Sequence, residues 1–200
     1  MDRDTTDRRI LRTKRMLRQA LTELMEEKGF EALTVSSLTE RADINRGTFY
    51  IHYQDKYDLL DKCEDEILKE FERIVREGFP TQQNDYRKLV QTDPLPHILK
   101  LVEYLSDNSA FLKTILGPKG DPSFQEKLKD LMKKNLTVLI EQRLSDSPIP
   151  TDYLIAYVSS ANLGVIQHWL KSGMNESPRE IALILSRLTI LGPGIEAGLN

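Results

Sequence analysis

The 200-residue sequence contains one cysteine, no long apolar run and no segment that alternates apolar and polar residues over the length of a strand. Because Cys63 is alone, the chain cannot form an internal disulfide or a zinc site of paired cysteines. Charged residues interrupt every apolar stretch before it reaches the roughly 18 residues of a membrane-spanning helix. With no apolar leader at the start of the chain, we expect a cytoplasmic protein that makes no membrane contact.

Apolar residues instead recur at helical spacing through most of the chain, which predicts an all-α fold of about nine helices. The predicted helices cover residues 10–28, 34–42, 46–53, 55–75, 94–106, 111–116, 124–145, 151–172 and 177–191, with a polar loop at 78–94. Capping residues support these boundaries, with Gly29 predicted to end the first helix and Thr34, Asp55 and Ser177 predicted to begin others. The glycines and proline at 192–194 are expected to end the last helix.

Groups that could carry catalysis are sparse. The three histidines are scattered along the chain, and none lies in a His-Glu-x-x-His pattern. Cys63 falls on an apolar stripe, where we expect a small buried side chain rather than a nucleophile. The glycines at 117–120 and 192–194 lack the strand-turn-helix setting or the Lys-Ser/Thr pair of nucleotide-binding loops. We therefore expect no catalytic residue, no metal ion and no cofactor.

Residues 34–53 contain two short helices separated by a three-residue turn, the arrangement of a helix-turn-helix. Val35, Leu38, Ala42, Ile44 and Phe49 can form a small shared core, and Ala42 allows the two helices to approach closely. The remaining positions are rich in hydrogen-bond donors on a helix short enough for a major groove. The candidate DNA-binding residues are Thr34, Ser36, Ser37, Asn45, Arg46, Gly47, Thr48, Tyr50, His52, Tyr53 and Lys56.

These candidates have different expected roles. The planar fork of Arg46 matches the O6/N7 edge of guanine, and Thr48 suits a thymine methyl or a phosphate. Tyr50, His52 and Lys56 are expected to hold phosphates, whereas Gly47 permits close approach to the backbone.

A basic segment precedes this motif. Six basic residues and no acidic one lie between Arg8 and Arg18, which suits a helix that contacts phosphates, although such a run is often a solvated face. Helix-turn-helix pairs also occur in proteins that bind no DNA, so the residues alone leave both readings open.

Residues 11–71 resemble the DNA-binding domain of tetracycline-repressor-like (TetR family) transcription regulators. The resemblance rests on Gly29-Phe30, Thr34-Val35, Gly47-Thr48-Phe49-Tyr50, His52-Tyr53 and Asp55-Lys56 before Leu59-Leu60. The sequence departs from the family pattern at the turn, where Asp43 replaces glycine. Because aspartate tolerates a left-handed backbone better than most residues, we expect the turn to survive. Residues 162–170 with Gly173 and Ser177-Pro178 resemble the C-terminal domain of a Firmicutes-type branch.

The resemblance implies a DNA-binding domain over residues 1–56 and a ligand-binding and dimerisation domain over residues 57–200. It also implies a homodimer that binds a palindromic operator in double-stranded DNA, and a repressor that a small-molecule effector releases. Binding to two half-sites one helical turn apart also requires two DNA-binding domains, and a dimer fixes the distance between them. Small Ala161 and Gly164 favour a dimer interface built from the last two long helices, although the same residues suit an intramolecular core.

The effector site is less defined by sequence. Candidate ligand-binding residues are Tyr104, Phe111, Tyr157, His168 and Trp169, since such pockets are mostly apolar with a few polar groups. Each of them suits the core or an interface equally well. Two alternatives stay open: an activator or co-regulator that acts through a protein partner, and a helical enzyme with its site in the C-terminal domain.

Overall fold

The computed structural model of the chain describes residues 3–78, 86–143 and 148–198. Within these ranges the chain forms eleven helices and no strand, which confirms the predicted all-α class. The helices are α1 (Arg3–Lys28), α2 (Val35–Arg41), α3 (Arg46–His52), α4 (Lys56–Gly78), α5 (Tyr86–Leu89), α6 (Pro96–Asp107), α7 (Ser109–Ile115), α8 (Pro122–Arg143), α9 (Thr151–Ser172), α10 (Pro178–Ile190) and α11 (Pro193–Glu196). No helix in the described ranges combines the length and the apolar character needed to cross a bilayer.

The chain divides into two compact units. Unit 1 comprises Met1–Ile67 and Ala110–Phe124, and unit 2 comprises Leu68–Ser109 and Gln125–Asn200. The long helix α4 begins in unit 1 and ends in unit 2.

Unit 1 is built on the apolar stripe of α1. This helix ends where predicted, because Gly29 adopts a left-handed backbone (φ +78°) and its amide donates to the Met25 carbonyl over 2.9 Å. Helix α1 packs against α2, and α2 packs against α3. The largest fully buried side chains of this unit are Leu17, Leu21, Met25, Leu38, Phe49, Leu59, Ile67, Leu112, Ile115 and Phe124.

Unit 2 is organised by α10, which packs against α6 and α9. It begins after the predicted N-cap Ser177, which forms a capping box: the Ser177 hydroxyl accepts from the Glu180 amide, and the Glu180 carboxylate accepts from the Ser177 amide. Ser186, fully buried on α10, accepts a hydrogen bond from the Leu95 amide over 2.9 Å. This bond satisfies a backbone donor at the start of α6, so it ties the two helices at their buried face.

Two single-turn helices were not predicted. Helix α5 lies within the expected loop at 78–94, of which residues 79–85 fall outside the described ranges. Helix α11 begins within the glycines and proline at 192–194 that were expected to end the last helix. In fact Gly192 (φ +82°) reverses the backbone and Pro193 then begins α11. Four residues are too few to show a helical repeat, so the sequence pattern carried no signal for either helix.

Candidate nucleic-acid interface

The start of α2 is fixed by a reciprocal cap. The Thr34 hydroxyl accepts from the Ser37 amide over 3.1 Å, and the Ser37 hydroxyl accepts from the Thr34 amide over 3.1 Å. This confirms Thr34 as the N-cap, and it assigns Ser37 the position that a glutamate usually occupies in a capping box. Ser36, between them, is exposed. All three are predicted DNA-binding residues, and they lie together at one end of α2.

The turn between α2 and α3 depends on Asp43. Its φ of +51° lies in the left-handed region that glycine usually occupies. Its amide donates to the Glu40 carbonyl over 3.1 Å, and the Ile44 amide donates to the Thr39 carbonyl over 3.0 Å. The expectation that aspartate accepts this backbone is therefore confirmed.

Helix α3 has one buried anchor and one exposed face. Asn45 caps the helix by accepting from the Gly47 amide over 2.8 Å. Phe49 is fully buried and holds the helix on the core of unit 1. Arg46 and Gly47 are exposed, and Tyr50 is 58% exposed. A seven-residue helix thus presents a guanidinium, a phenol and a bare backbone position to solvent, while a single aromatic ring fixes its position.

The last two predicted contacts on α3 are less accessible. His52 is half-buried, as is Thr48. Tyr53, the C-cap residue, is buried with its ring 5.6 Å from that of Phe49, and burial raises the pKa of its hydroxyl well above the usual range. The structure therefore places Tyr53 in the core that supports α3 rather than on the exposed face.

Lys56 is also held within unit 1. Its ammonium donates to the carbonyls of Phe30 and Glu31 over 3.2 and 2.9 Å, and it lies 4.9 Å above the Phe30 ring. Only 13% of its side chain is exposed. Because the group bonds the chain just after α1 to the first turn of α4, it braces two segments that are distant in sequence.

Two family models match this chain. Residues 17–63 match the model described as bacterial regulatory proteins of the tetR family, and residues 92–190 match a model described as transcriptional regulator C-terminal region. The first match includes all of α2 and α3. The chain belongs to the TetR family of transcriptional regulators.

Individual relatives carry similar descriptions. The chain is 40% identical over 167 residues to YxbF of Bacillus subtilis, an uncharacterized HTH-type transcriptional regulator, which covers 83% of this chain and 42% of that protein. It is 32% identical over 82 residues to the tetracycline repressor protein class G of Vibrio anguillarum, which covers 41% of this chain and 38% of that protein. The chain thus spans about two fifths of the length of the curated relatives it matches.

A solved structure shares the fold. The dihydroxyacetone kinase operon activator DhaS superposes with a TM-score of 0.58 at 20% identity, over 92% of this chain and 97% of that one. These relatives and family models are described as regulators, not enzymes.

The basic segment of this TetR-family chain lies on α1. Arg9, Arg12 and Arg15 are exposed. Lys14 lies 3.8 Å from the Glu66 carboxylate, and the Arg18 guanidinium lies 4.7 Å from the centre of the Phe111 ring. The predicted phosphate-contacting run therefore divides into exposed arginines and residues already engaged within unit 1.

Near the other end of α1, acidic groups are neutralised by Arg41 of α2. Its guanidinium donates to both carboxylate oxygens of Glu27 over 2.9 Å and to Glu23 over 3.1 Å. Hydrogen bonds from Arg41 lower the pKa of the Glu27 carboxyl and, after a larger contribution from Gln19, that of Glu23. This network holds α1 and α2 together on the surface of unit 1.

The predicted ligand-binding residues are not brought to one surface. Tyr157 is 52% exposed and His168 is exposed on the same face of α9, whereas Trp169 is buried and its indole N–H donates to the Glu176 carbonyl over 2.9 Å. Tyr104 is half-buried on α6. Phe111 is buried in unit 1. Their role as ligand contacts stays a prediction.

Unit 1 also has an open depression of about 620 Å³ between the end of α1, the start of α4 and the loop before α8. Its lining includes Phe30, Tyr57, Asp61, Lys119 and Asp121. None of the five predicted ligand-binding residues lines it.

Ile51 is not among the predicted DNA-binding residues, yet it is 76% exposed on α3. Its position two residues after the buried Phe49 places it about 200° around the helix from that anchor. This spacing is the signal that could have identified it.

Proposed function

We propose that this chain is a sequence-specific DNA-binding transcriptional regulator that uses α3 as its recognition helix. The observation that carries the proposal is the division of α3 into a fully buried Phe49 and an exposed face with Arg46 and Tyr50. A helix held by one side and open on the other fits a major groove about 12 Å wide. Residues 1–56 are proposed as the DNA-binding part and residues 57–200 as the ligand-binding and dimerisation part.

Within this proposal the candidate residues take separate tasks. Arg46 reads guanine by a bidentate hydrogen bond, because its guanidinium is exposed and makes no ion pair among the described residues. Tyr50, Thr48, His52 and the exposed arginines of α1 contact phosphates or base edges beside it. Thr34, Ser36 and Ser37 lie at the start of α2, where hydroxyl groups suit a phosphate of the adjacent strand.

The test is selection of bound sequences from a pool of random duplexes. We expect an enriched palindrome whose half-sites lie one helical turn, about 10 base pairs, apart or a multiple of it. A pool that stays random after repeated rounds, with the protein folded, contradicts the proposal.

The palindrome requires a homodimer, which we propose to form through α9 and α10. Tyr153, Tyr157, Gly164 and His168 are exposed and fall within about 60° on one face of α9. On α10, Ile184 is exposed. Apolar and aromatic side chains around a small residue allow two copies to approach closely, and a twofold interface uses the same surface on both.

Light scattering tests the dimer. The wild-type chain is expected at twice the chain mass, and Tyr157→Glu is expected to shift the mass toward the monomer. The matched control is Ile149→Glu, which charges an exposed isoleucine of unit 2 outside both helices. Equal masses for the two variants would contradict this interface.

We further propose that the protein is a repressor released by a small-molecule effector. The name of the relative from Vibrio anguillarum supports repression, while the name of DhaS supports the activator alternative. An effector weakens operator binding only by binding the DNA-free state better, and a coupling of about 1–3 kcal/mol gives a 5- to 150-fold change. In vitro transcription from a promoter that overlaps the selected palindrome separates repression from activation. A regulator of this kind works in the compartment of the chromosome, the bacterial cytoplasm.

A further inference from the structure

Ile51 is the most exposed large apolar side chain among the described residues, at 76% of its surface. It lies on α3, where the only fully buried side chain is that of Phe49. A β-branched residue is slightly unfavourable in a helix, and an exposed isoleucine contributes little burial to folding. Nothing in the fold of unit 1 therefore requires isoleucine at this position.

Gly47 lies one helical turn before Ile51 on the same side of α3, and it is equally unexplained by folding. A Cβ at Gly47 would meet no atom closer than 3.4 Å, the Asn45 side-chain oxygen, so packing does not demand glycine there. Its φ is not in the left-handed region. Glycine nevertheless has a lower helix propensity than alanine, so it is not a favoured residue at the second position of α3. Two unfavourable choices thus occur four residues apart on one exposed face.

These two positions complement each other sterically. Helical side chains lean toward the N-terminus, over the turn that precedes their own Cα. The side chain of Ile51 therefore leans toward Gly47, and because Gly47 has no side chain, the Ile51 side chain stays uncovered on that side. The result is an exposed aliphatic group beside a bare stretch of backbone, which favours close contact with an apolar group of a flat partner.

We propose that Ile51, with Gly47 beside it, is a specificity-determining site that reads the C5-methyl group of thymine. This inference rests on the proposed function, because α3 must occupy the major groove for the contact to occur. In that groove thymine presents an apolar methyl, whereas the other bases present only hydrogen-bonding groups. Isoleucine has no donor or acceptor to pair with those groups, so its contact discriminates by methyl burial alone.

The test uses the palindrome selected above, with each thymine of the half-site replaced in turn by deoxyuridine, which lacks only the methyl. Binding is measured by fluorescence anisotropy for the wild type, Ile51→Ala and Ile149→Ala, an exposed isoleucine of unit 2 that serves as the matched control. Equal thermal midpoints check that the variants fold. Replacement at the contacted thymine in both half-sites is expected to weaken wild-type binding about 15-fold, since one buried methyl is worth about fourfold.

In Ile51→Ala, replacing the contacted thymine by deoxyuridine is expected to leave the affinity unchanged, whereas Ile149→Ala is expected to show the wild-type loss. A double-mutant cycle of protein and DNA variants then gives the coupling between Ile51 and the thymine methyl. An equal deoxyuridine penalty in Ile51→Ala and wild type at every thymine would overturn the inference and leave the proposed function intact. A selected half-site without thymine would do the same. A pool with no enriched sequence would overturn the inference together with the proposed function.

Discussion

The Lys119 ammonium donates a hydrogen bond to the Glu26 carbonyl over 2.9 Å and lies 3.3 Å from that of Glu27. These carbonyls belong to the last turn of α1, where backbone acceptors lack partners within the helix. A lysine from the loop before α8 thus supplies the positive charge that a helix C-terminus favours.

Lys119→Met is therefore expected to loosen the end of α1. The free energy of unfolding should fall by about 0.5–1 kcal/mol, and hydrogen exchange should accelerate at the amides near Gly29. The matched control is Lys113→Met, which removes an exposed lysine of the same unit that makes no hydrogen bond among the described residues. Identical exchange profiles for the two variants would show that the Lys119 contact is not formed in solution.

The left-handed backbone conformation of Asp43 leads to a second prediction. At a φ of +51°, a β-branched side chain is strained by about 1–2 kcal/mol, whereas glycine is not. Asp43→Val should lower the urea midpoint of unfolding, and Asp43→Gly should leave it unchanged or raise it. Equal midpoints for valine and glycine would mean that the turn does not adopt this conformation.

Substitution of Lys56 tests whether this residue stabilises the fold or contacts DNA. Its ammonium makes two hydrogen bonds with backbone carbonyls, and bonds to charged groups are worth about 1.5–3 kcal/mol. Lys56→Met is therefore expected to lower the free energy of unfolding by about 1–3 kcal/mol.

The sequence predicts that Lys56 contacts a phosphate, and the salt dependence of DNA binding by Lys56→Met tests whether it does. Because the ammonium is already held within unit 1, we expect the slope of log K against log salt to match that of the wild type. A slope that falls by about 0.9 for each lost contact would instead assign Lys56 to a phosphate.

The burial of the His97 imidazole leads us to expect that the stability of the protein depends on pH. Burial against the end of α4, where a Cβ at Gly78 would lie 2.3 Å from the His97 Cβ, lowers the pKa of its imidazole to about 4. Between about pH 6.5 and 4 the unfolded chain binds a proton that the folded chain does not. Stability should therefore be lost as the pH falls through this range, by up to about 1.4 kcal/mol per unit. His97→Gln should show a shallower loss in urea titrations, and parallel curves would refute the assignment.

The local features of the fold were readable from sequence because they depend on near neighbours. Gly29, Thr34, Asp55 and Ser177 act as caps through bonds that span two to four residues. The buried Phe49 and Cys63 likewise followed from apolar spacing. In contrast, α5 and α11 are single turns without a repeat to detect.

Parts of the site depend on contacts that local patterns do not contain. The bonds from Lys56 join it to residues 25 and 26 positions away, so nothing next to it in sequence signals them. Tyr53 is predicted to contact DNA because it has a phenolic hydroxyl, but tertiary packing buries its side chain. Ile51 is not among the predicted contacts because those residues were selected as hydrogen-bond donors, and its aliphatic side chain has no donor.

The most direct test of the account is the ratio of affinities for the selected palindrome and a scrambled duplex, compared between wild type and Arg46→Ala at one salt concentration. We predict that Arg46→Ala lowers this ratio by about 5- to 150-fold per half-site, the loss of one bidentate base contact, while binding to scrambled DNA changes little. A ratio equal to that of the wild type would contradict the claim that α3 reads DNA through its exposed face.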